Sequence, residues 1–177
     1  MIQLQQGDCL ELMRDIPDGS VDMILCDLPY GTTQNKWDSV ISLPKLWEQY
    51  KRIIKNNGAI ILFSAEPFTS MLITSNLDMF RYDIIWQKEQ GTDFLNANRK
   101  PLRAHENICV FYRRMPTFNK QCGKGKPYKA VKGNKDTSCW GEFKQGMCTD
   151  SDGSRNPLTV LKFNRERGLH PTQKPVP

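Results

Sequence analysis

The chain has 177 residues, which is the size of one ordinary domain and favours a single hydrophobic core over two. No apolar run approaches the roughly 20 residues of a membrane-spanning helix, and residues 1–7 lack the features of a signal peptide, so we expect a cytoplasmic protein. The six cysteines form no C-x-x-C pair, which argues against disulfides and a zinc site. The net charge of +6 divides into −4 over residues 1–90 and +10 over residues 91–177.

The charge asymmetry predicts that the second half of the chain faces a polyanion such as nucleic acid, and the alternative is a basic surface that is merely solvated. In the first half, strand and helix signals alternate, which predicts a parallel, doubly wound α/β sheet. The predicted strands are Ile2 to Leu4, 21–26, 59–63 and 82–86, and the predicted helices begin at Asp8, Ser42 (ending at Gly58) and Glu66.

The stretch from Met23 to Tyr30 is the most informative part of the sequence. Its apolar residues predict a buried central strand, and Pro29, which cannot donate to a ladder, ends that strand. Asp27 and Tyr30 therefore lie at the carboxyl end of a strand, where open α/β sheets bind their ligands. A carboxylate, a fixed backbone carbonyl and an aromatic ring suit a flat ligand that carries an amino group, such as a nucleobase.

The composition changes after the last predicted strand, Asn107 to Tyr112. Residues 114–168 contain 12 Lys/Arg and seven glycines, show no sustained periodicity, and carry aromatic residues scattered among the bases. Interleaved basic and aromatic residues can grip phosphates and contact bases, whereas the alternative is a mobile insert whose aromatic residues form a satellite core. A structureless loop of this length is unusual, so we expect a small subdomain.

Three features in chain order resemble the DNA amino-methyltransferases. They are Asp27-Leu28-Pro29-Tyr30 at a strand end, the basic segment, and the hexapeptide His-Pro-Thr-Gln-Lys-Pro over residues 170–175. The family tetrapeptide is Asp/Asn/Ser-Pro-Pro-Tyr/Phe/Trp, and this order is that of its beta subgroup. The resemblance covers essentially the whole chain. It implies an incomplete Rossmann-like S-adenosylmethionine-dependent methyltransferase sheet, with a basic target-recognition insert, that acts on double-stranded DNA.

The resemblance also implies a chemistry for the tetrapeptide. An exocyclic amino group is a poor nucleophile because its lone pair is delocalised into the ring. The Asp27 side chain and the Leu28 main-chain carbonyl would accept its hydrogen bonds, while Tyr30 stacks on the flipped-out base. Leu28 replaces the usual first proline but still supplies a carbonyl, whose direction Pro29 helps to fix. Asp27, rather than serine, favours N6 of adenine over N4 of cytosine, which is the alternative.

Further residues match family positions. Asp8 is, from the sequence alone, either a helix N-cap or a ligand hook, and the resemblance places it against the adenine of S-adenosylmethionine. The implied division is a catalytic domain over residues 1–113, a target-recognition region over 114–168 and the start of a cofactor-binding segment over 169–177. The residues expected at the methionine end of the cofactor are His170, Thr172, Gln173 and Lys174. The residues expected on DNA are Arg99, Lys100, Arg103, Lys124, Lys126, Lys129 and Lys132.

The family's glycine-rich Phe-x-Gly-x-Gly cofactor loop does not follow the hexapeptide, and Gly123-x-Gly125 lacks a preceding strand. We therefore expect a shortened methyltransferase sequence that binds cofactor weakly or not at all by itself, with an exposed position beside the strand that carries Asp27. The alternatives are a catalytically inactive remnant that still binds DNA, and an unrelated nucleotide-binding protein with a coincidental tetrapeptide.

Overall fold

The computed structural model describes residues 2–32, 35, 38–131 and 148–163. Predictions made for Lys132, His170, Thr172, Gln173 and Lys174 therefore lie outside the described residues. The chain divides into two units, a larger one up to residue 117 that resumes at residue 159, and a smaller one over residues 118–158. The functional division at residues 113 and 168 stays a prediction.

The larger unit alternates helices and strands through its first half, as its hydrophobic pattern predicts. The described residues of this unit form three helices, together with short 3₁₀ turns at Met13–Asp15 and Phe94–Asn96. The helices are α1 (Cys9–Leu12), α2 (Leu43–Ile53) and α3 (Phe68–Thr74). The strands of this unit are β1 (Val21–Asp27), β2 (Ile54–Ser64), β3 (Phe80–Thr92), β4 (Arg103–Phe111) and, after the smaller unit, β9 (Val160–Lys162).

These five strands form one mixed sheet in the order β1-β2-β4-β3-β9. β1 runs parallel to β2, and β9 runs parallel to β3. β4 is antiparallel to both of its neighbours and lies between them. The α/β architecture expected from the sequence is confirmed, but the sheet is not wholly parallel, because β4 returns directly from β3 as a hairpin instead of crossing over through a helix.

The hydrophobic core lies between one face of this sheet and the helices. Alternate residues of β2 point into it, and α2 buries one apolar stripe against them because its apolar residues recur at helical spacing. Leu46, Leu62 and Phe111 have no exposed surface, and the Trp47 ring packs against Phe111 with centroids 4.9 Å apart. This packing anchors β2 to the helices, and β1 is held in register beside β2 up to Asp27.

Three sequence predictions about these elements are wrong. Ile2 and Leu4 are 89% and 93% exposed and form no strand, because an alternating tetrapeptide without a pairing partner gains nothing from extension. The second helix stops at Ile53, five residues before Gly58, since Ile54 already pairs with Val21. β1 is not buried on both faces. Within the described residues it pairs only with β2, and its Met23 side chain is 54% exposed.

Arg52, at the end of α2, ties that helix to the turn before β1. Its guanidinium donates to the backbone carbonyls of Ile16 (2.7 Å) and Met13 (2.6 Å). It also forms an ion pair with Asp18, with nitrogen and oxygen 2.5 Å apart. In the same turn, the Gly19 amide donates to the Arg52 carbonyl at 2.9 Å. One side chain therefore satisfies several polar groups and fixes the approach of the chain to β1.

In the part of the smaller unit that the structure describes, two short antiparallel ladders are present. β5 (Gly123–Lys124) pairs with β8 (Ser154–Arg155), and β6 (Tyr128–Val131) pairs with β7 (Cys148–Ser151). The Arg155 guanidinium lies 4.9 Å from the centre of the Tyr128 ring and donates to the Lys126 carbonyl at 2.6 Å. Arg155 is thus a structural cross-link inside this unit.

Candidate active site

The tetrapeptide Asp27 to Tyr30 leaves the sheet at the carboxyl end of β1, as the sequence predicts. Asp27 is registered with Phe63 on β2, and Phe63 is registered with Ile108 on β4. Residues in register share a face of a sheet, so Asp27 projects from the face opposite the helices. The Leu28 side chain is only 5% exposed and packs into the core. The buried Leu28 side chain therefore holds the tetrapeptide in place at the end of β1.

The Tyr30 ring folds back over Asp27. Its hydroxyl donates a hydrogen bond of 2.7 Å to the Oδ1 atom of Asp27. The ring is stacked on Phe68, the first residue of α3, with centroids 5.5 Å apart and an interplanar angle of 23°. Burial, followed by the hydrogen bond to Asp27, raises the pKa of the Tyr30 hydroxyl, so it remains protonated and remains a donor.

The turn after Tyr30 is held by a buried carboxylate. Asp38 is 8% exposed and accepts hydrogen bonds from the amides of Gly31 (2.8 Å) and Thr32 (3.0 Å). Gly31 has a φ of +67°, and a Cβ at this position would lie 2.9 Å from the Val40 side chain. Glycine is therefore required here for both its backbone angle and its size. Asp38 lies seven residues from Gly31, and no motif in the sequence predicts this contact.

A largely buried ion pair joins β3 and β4 near the tetrapeptide. Lys88 of β3 and Glu106 of β4 have nitrogen and oxygen 2.5 Å apart, and each side chain is 12% exposed. The Lys88 ammonium also lies 5.2 Å from the centre of the Trp86 ring. Glu106 is close enough for its negative charge to contribute to the raised pKa of Tyr30. Sequence reasoning missed this pair, because strand alternation gives no signal for which charged residues face a site.

The other predicted site residues lie in several places. Asp8 caps α1, and its Oδ1 atom accepts the Leu10 amide at 2.8 Å, so the N-cap interpretation is confirmed; a cofactor role stays a prediction. Arg99, Lys100 and Arg103 lie in the connection between β3 and β4 or at the start of β4. Lys124, Lys126 and Lys129 lie in the smaller unit, where all three are exposed.

Two negative findings apply to the described ranges, 2–32, 35, 38–131 and 148–163. They contain no group of three or more His, Cys, Asp or Glu side chains that could hold a metal ion. They also contain no helix long and apolar enough to cross a membrane. Four cysteines in this part of the chain, Cys9, Cys26, Cys109 and Cys122, are free thiols.

Taken together, the geometry provides hydrogen-bond acceptors and an aromatic ring at one strand end. The Asp27 carboxylate and the peptide carbonyls beside it accept hydrogen bonds, and Tyr30 offers a ring that is held rigidly by Phe68. Together, these acceptors and this ring can bind the edge of a flat aromatic molecule that carries an amino group. The acceptors can also stabilise positive charge that develops on the amino nitrogen. These are the properties that the sequence predicts for a nucleobase site.

Comparison with known proteins gives a family. The family described as DNA methylase matches residues 21–177, and the chain belongs to it. The Type II methyltransferase M.HinfI of Haemophilus influenzae is 25% identical over 206 residues, covering 96% of this chain and 51% of that protein. The Type II methyltransferase M.BglII of Bacillus subtilis is 24% identical over 198 residues, covering 98% of this chain and 53% of its own.

Solved structures show the same fold. The PvuII DNA methyltransferase, described as cytosine-N4-specific, superposes with a TM-score of 0.56 at 11% identity, covering 93% of this chain and 58% of its own. The structure of M1.HpyAVI gives a TM-score of 0.50 at 22% identity, covering 68% of this chain and 61% of that one. The fold is thus that of DNA methyltransferases, and the chain spans about half the length of the curated relatives it matches.

Proposed function

We propose that the chain is a DNA methyltransferase, or the part of one that carries the catalytic tetrapeptide, and that it methylates an exocyclic amino group of a base in double-stranded DNA. The observation that carries this proposal is the Asp27–Tyr30 hydrogen bond at the end of β1, in a chain of the DNA methylase family. The preferred target is N6 of adenine, because the first residue of the tetrapeptide is aspartate. The alternative target is N4 of cytosine.

The role of Asp27 follows from the electronic structure of the substrate. The amino nitrogen must become more tetrahedral as its lone pair turns towards the methyl donor, and positive charge develops on it. The Asp27 carboxylate and the Leu28 carbonyl, as acceptors of its two N–H groups, favour that geometry and stabilise that charge. The Tyr30 hydroxyl donates to Oδ1 of Asp27, and we assign to it the role of orienting the carboxylate that accepts the amino group.

Tyr30 has a second role in this proposal. One face of its ring is stacked on Phe68, and we assign the opposite face to the target base. A base inside a duplex does not expose its amino group to an enzyme, so the base must be extruded at a cost of a few kcal/mol. Stacking on a ring that is already immobilised offsets part of this cost, because little side-chain entropy is lost when the base arrives.

The cofactor that fits this chemistry is S-adenosylmethionine, which supplies an electrophilic methyl group on a sulfonium. Among the described residues, Asp8 is the one we assign to it. Its exposed carboxylate can accept hydrogen bonds from the adenine portion while one oxygen caps α1. We assign the methionine portion to the hexapeptide residues His170, Thr172, Gln173 and Lys174. In this assignment Asp8 both caps α1 and binds the cofactor, the two roles that the sequence offers as alternatives.

The DNA partner is assigned to the basic second half of the chain. Arg99, Lys100 and Arg103 belong to the larger unit, and Lys124, Lys126, Lys129 and Lys132 belong to the segment with the highest density of basic residues. Lys129 forms an ion pair of 3.3 Å with Asp150, but both side chains are highly exposed, so solvent screens this pair and the lysine can exchange it for a phosphate.

The test is transfer of a radiolabelled methyl group from S-adenosylmethionine to unmethylated genomic DNA, which contains every short recognition sequence. Digestion to nucleosides then separates N6-methyladenine from N4-methylcytosine. We expect Asp27→Ala to lower transfer by at least about 100-fold with little loss of DNA affinity. The control is Asp22→Ala, which removes an exposed carboxylate of the same strand that pairs with Lys55.

Three outcomes separate the candidate functions. Transfer that persists in Asp27→Ala refutes the assigned site. N4-methylcytosine as the product refutes the preference for adenine and leaves the catalytic group intact. A folded chain that binds DNA with a steep salt dependence, but neither binds S-adenosylmethionine nor transfers a methyl group, supports the alternative of a non-catalytic DNA-binding protein.

A further inference from the structure

The hairpin formed by β3 and β4 extends beyond the end of the sheet next to the site. β2 stops at Ser64, which pairs with Asn107, whereas β4 continues back to Arg103 and β3 continues to Thr92. The Arg103 guanidinium donates to the Glu66 carbonyl at 2.9 Å, which fastens this extension to the segment after β2. At a rise of about 3.3 Å per residue, the three steps from Glu106 to Arg103 carry the hairpin about 10 Å past the ion pair.

The tip of this hairpin presents apolar side chains to solvent. Phe94 is 75% exposed and Leu95 is 84% exposed, and Leu102, just before β4, is 44% exposed. Isolated exposed apolar residues are ordinary, but two adjacent ones at the end of a projecting hairpin make a patch that predicts a binding partner.

The tip is also rigidly built. Asp93 adopts a left-handed conformation, with a φ of 72°, and its carboxylate accepts from the Asn96 side-chain amide at 2.7 Å and pairs with Lys100 at 2.6 Å. These two contacts hold the pKa of Asp93 below its usual value, so it stays ionised and the cross-link persists. The backbone of the Phe94–Asn96 turn therefore presents Phe94 and Leu95 in a fixed orientation.

The charges around the tip identify the partner. The segment from Asp93 to Arg103 carries Arg99, Lys100 and Arg103 against a single carboxylate, so its net charge is +2. A rigid apolar point surrounded by cations matches duplex DNA, in which stacked bases lie between two rows of phosphates. Proteins that open base steps use side chains such as phenylalanine and leucine in this way.

We propose that Phe94 and Leu95 form a wedge that enters the base stack and holds the duplex open while the target base lies against Tyr30. This inference rests on the proposed function, because it takes duplex DNA as the partner. The wedge occupies the space that the extruded base leaves, and Arg99 holds an adjacent phosphate. The wedge lies at the tip of the β3–β4 hairpin, and Glu106 of the same hairpin lies close to Tyr30 of the catalytic tetrapeptide.

The test uses DNA unwinding, since a side chain inserted between base pairs lowers the local twist. A closed circular plasmid is relaxed by a topoisomerase in the presence of the full 177-residue chain, and the change in linking number is read after the protein is removed. We expect the wild-type chain to change the linking number and Phe94→Ala/Leu95→Ala to abolish the change. In equilibrium binding to a mixed-sequence duplex, the double variant should lose about tenfold in affinity, within the range for loss of one stacking side chain.

Two control variants distinguish the effect of the wedge on DNA from the effect of a lost charge and from the effect of losing an exposed apolar side chain elsewhere. Arg99→Ala should weaken DNA binding and reduce the slope of log affinity against log salt by about 0.9, the value for one phosphate contact, but it should still unwind the plasmid at protein concentrations that saturate the DNA. Leu77→Ala removes a side chain that is 62% exposed just before β3, at the end of that strand remote from the hairpin, and should behave as wild type. Circular dichroism and thermal unfolding should be unchanged in all three variants, because the altered side chains are exposed.

The results that overturn the wedge are distinct from failure of the proposed function. Neither experiment uses S-adenosylmethionine, so a chain without methyl transfer can still show unwinding that depends on the wedge. Equal unwinding by wild type and Phe94→Ala/Leu95→Ala overturns the wedge and leaves the methyl-transfer assignment untouched. DNA binding without unwinding by the wild-type chain also overturns it. Self-association that the double variant abolishes would make the tip an interface between copies instead.

Discussion

The hydrogen bond between Tyr30 and Asp27 gives the sharpest prediction for the proposed reaction. Tyr30→Phe removes one oxygen atom and leaves the ring that is stacked on Phe68. The variant therefore separates two roles that a change to alanine would remove together. If the hydroxyl orients the carboxylate, its loss should lower the rate of methyl transfer and leave DNA binding intact.

The magnitude follows from the contact. A hydrogen bond to a charged acceptor contributes about 1.5–3 kcal/mol. Asp27 is exposed, so water can replace part of the lost bond, and we take the lower value. An increase of about 1.5 kcal/mol in the activation barrier corresponds to a decrease in kcat of about tenfold. This is much smaller than the loss expected for Asp27→Ala, since Tyr30→Phe leaves the carboxylate in place but less well oriented.

The assay is single-turnover methyl transfer at saturating DNA, with the KM for DNA measured in parallel. Tyr112→Phe is the matched control, because Tyr112 follows β4 at the opposite end of the sheet. Burial and the Asp27 contact raise the pKa of Tyr30, so its hydroxyl stays protonated as pH rises through neutrality, and the ratio of wild-type to variant rates should not change there. An unchanged kcat would refute the orienting role, and a rise in KM with constant kcat would reduce Tyr30 to a stacking residue.

Three stability predictions can be checked by urea unfolding. Gly31→Ala should lower the free energy of unfolding by about 2 kcal/mol, because φ is positive and the new Cβ meets the Val40 side chain. In the control Gly123→Ala the nearest atom lies 4.0 Å from the new Cβ, so the free energy of unfolding should change by less than about 0.5 kcal/mol. Arg52→Ala should cost about 2 kcal/mol, since two backbone carbonyls lose their donor, and a change below about 0.5 kcal/mol would contradict the clamp. Glu106→Ala should lower the free energy of unfolding by about 3 kcal/mol, because it leaves the largely buried Lys88 ammonium without its carboxylate. Adding Lys88→Met should recover part of that loss, and additive losses would show that the pair is uncoupled.

The sequence predicts β1 to β4 because their apolar runs are long, but it misses β9, which has only three residues. The alternation of signals through residue 90 identifies β1, β2 and β3, and Pro29 correctly predicts the end of β1. The antiparallel direction of β4 could not be predicted, since a buried strand has the same composition in either direction. The half-exposed β1 also differs from the expectation, because composition reports hydrophobicity and not which neighbours are present.

The candidate site was predictable only in its consecutive residues. Asp27 and Tyr30 stand in one short motif, and their contact follows from the turn that Pro29 begins. Glu106 approaches Tyr30 from a strand 76 positions later in the chain, and its place depends on β4 lying between β2 and β3. Contacts of this kind require the sheet order, which no local pattern contains.

The mixed sheet gives β4 two different environments along its length. Residues Asn107 to Phe111 are hydrogen-bonded between β2 and β3, whereas Arg103 to Glu106 face β3 but extend past the last residue of β2. Amide hydrogen exchange should therefore change sharply at Asn107, with slow exchange towards Phe111 and faster exchange towards Arg103. A single strand thus joins the most protected part of the fold to an extension that is hydrogen-bonded to one neighbouring strand only.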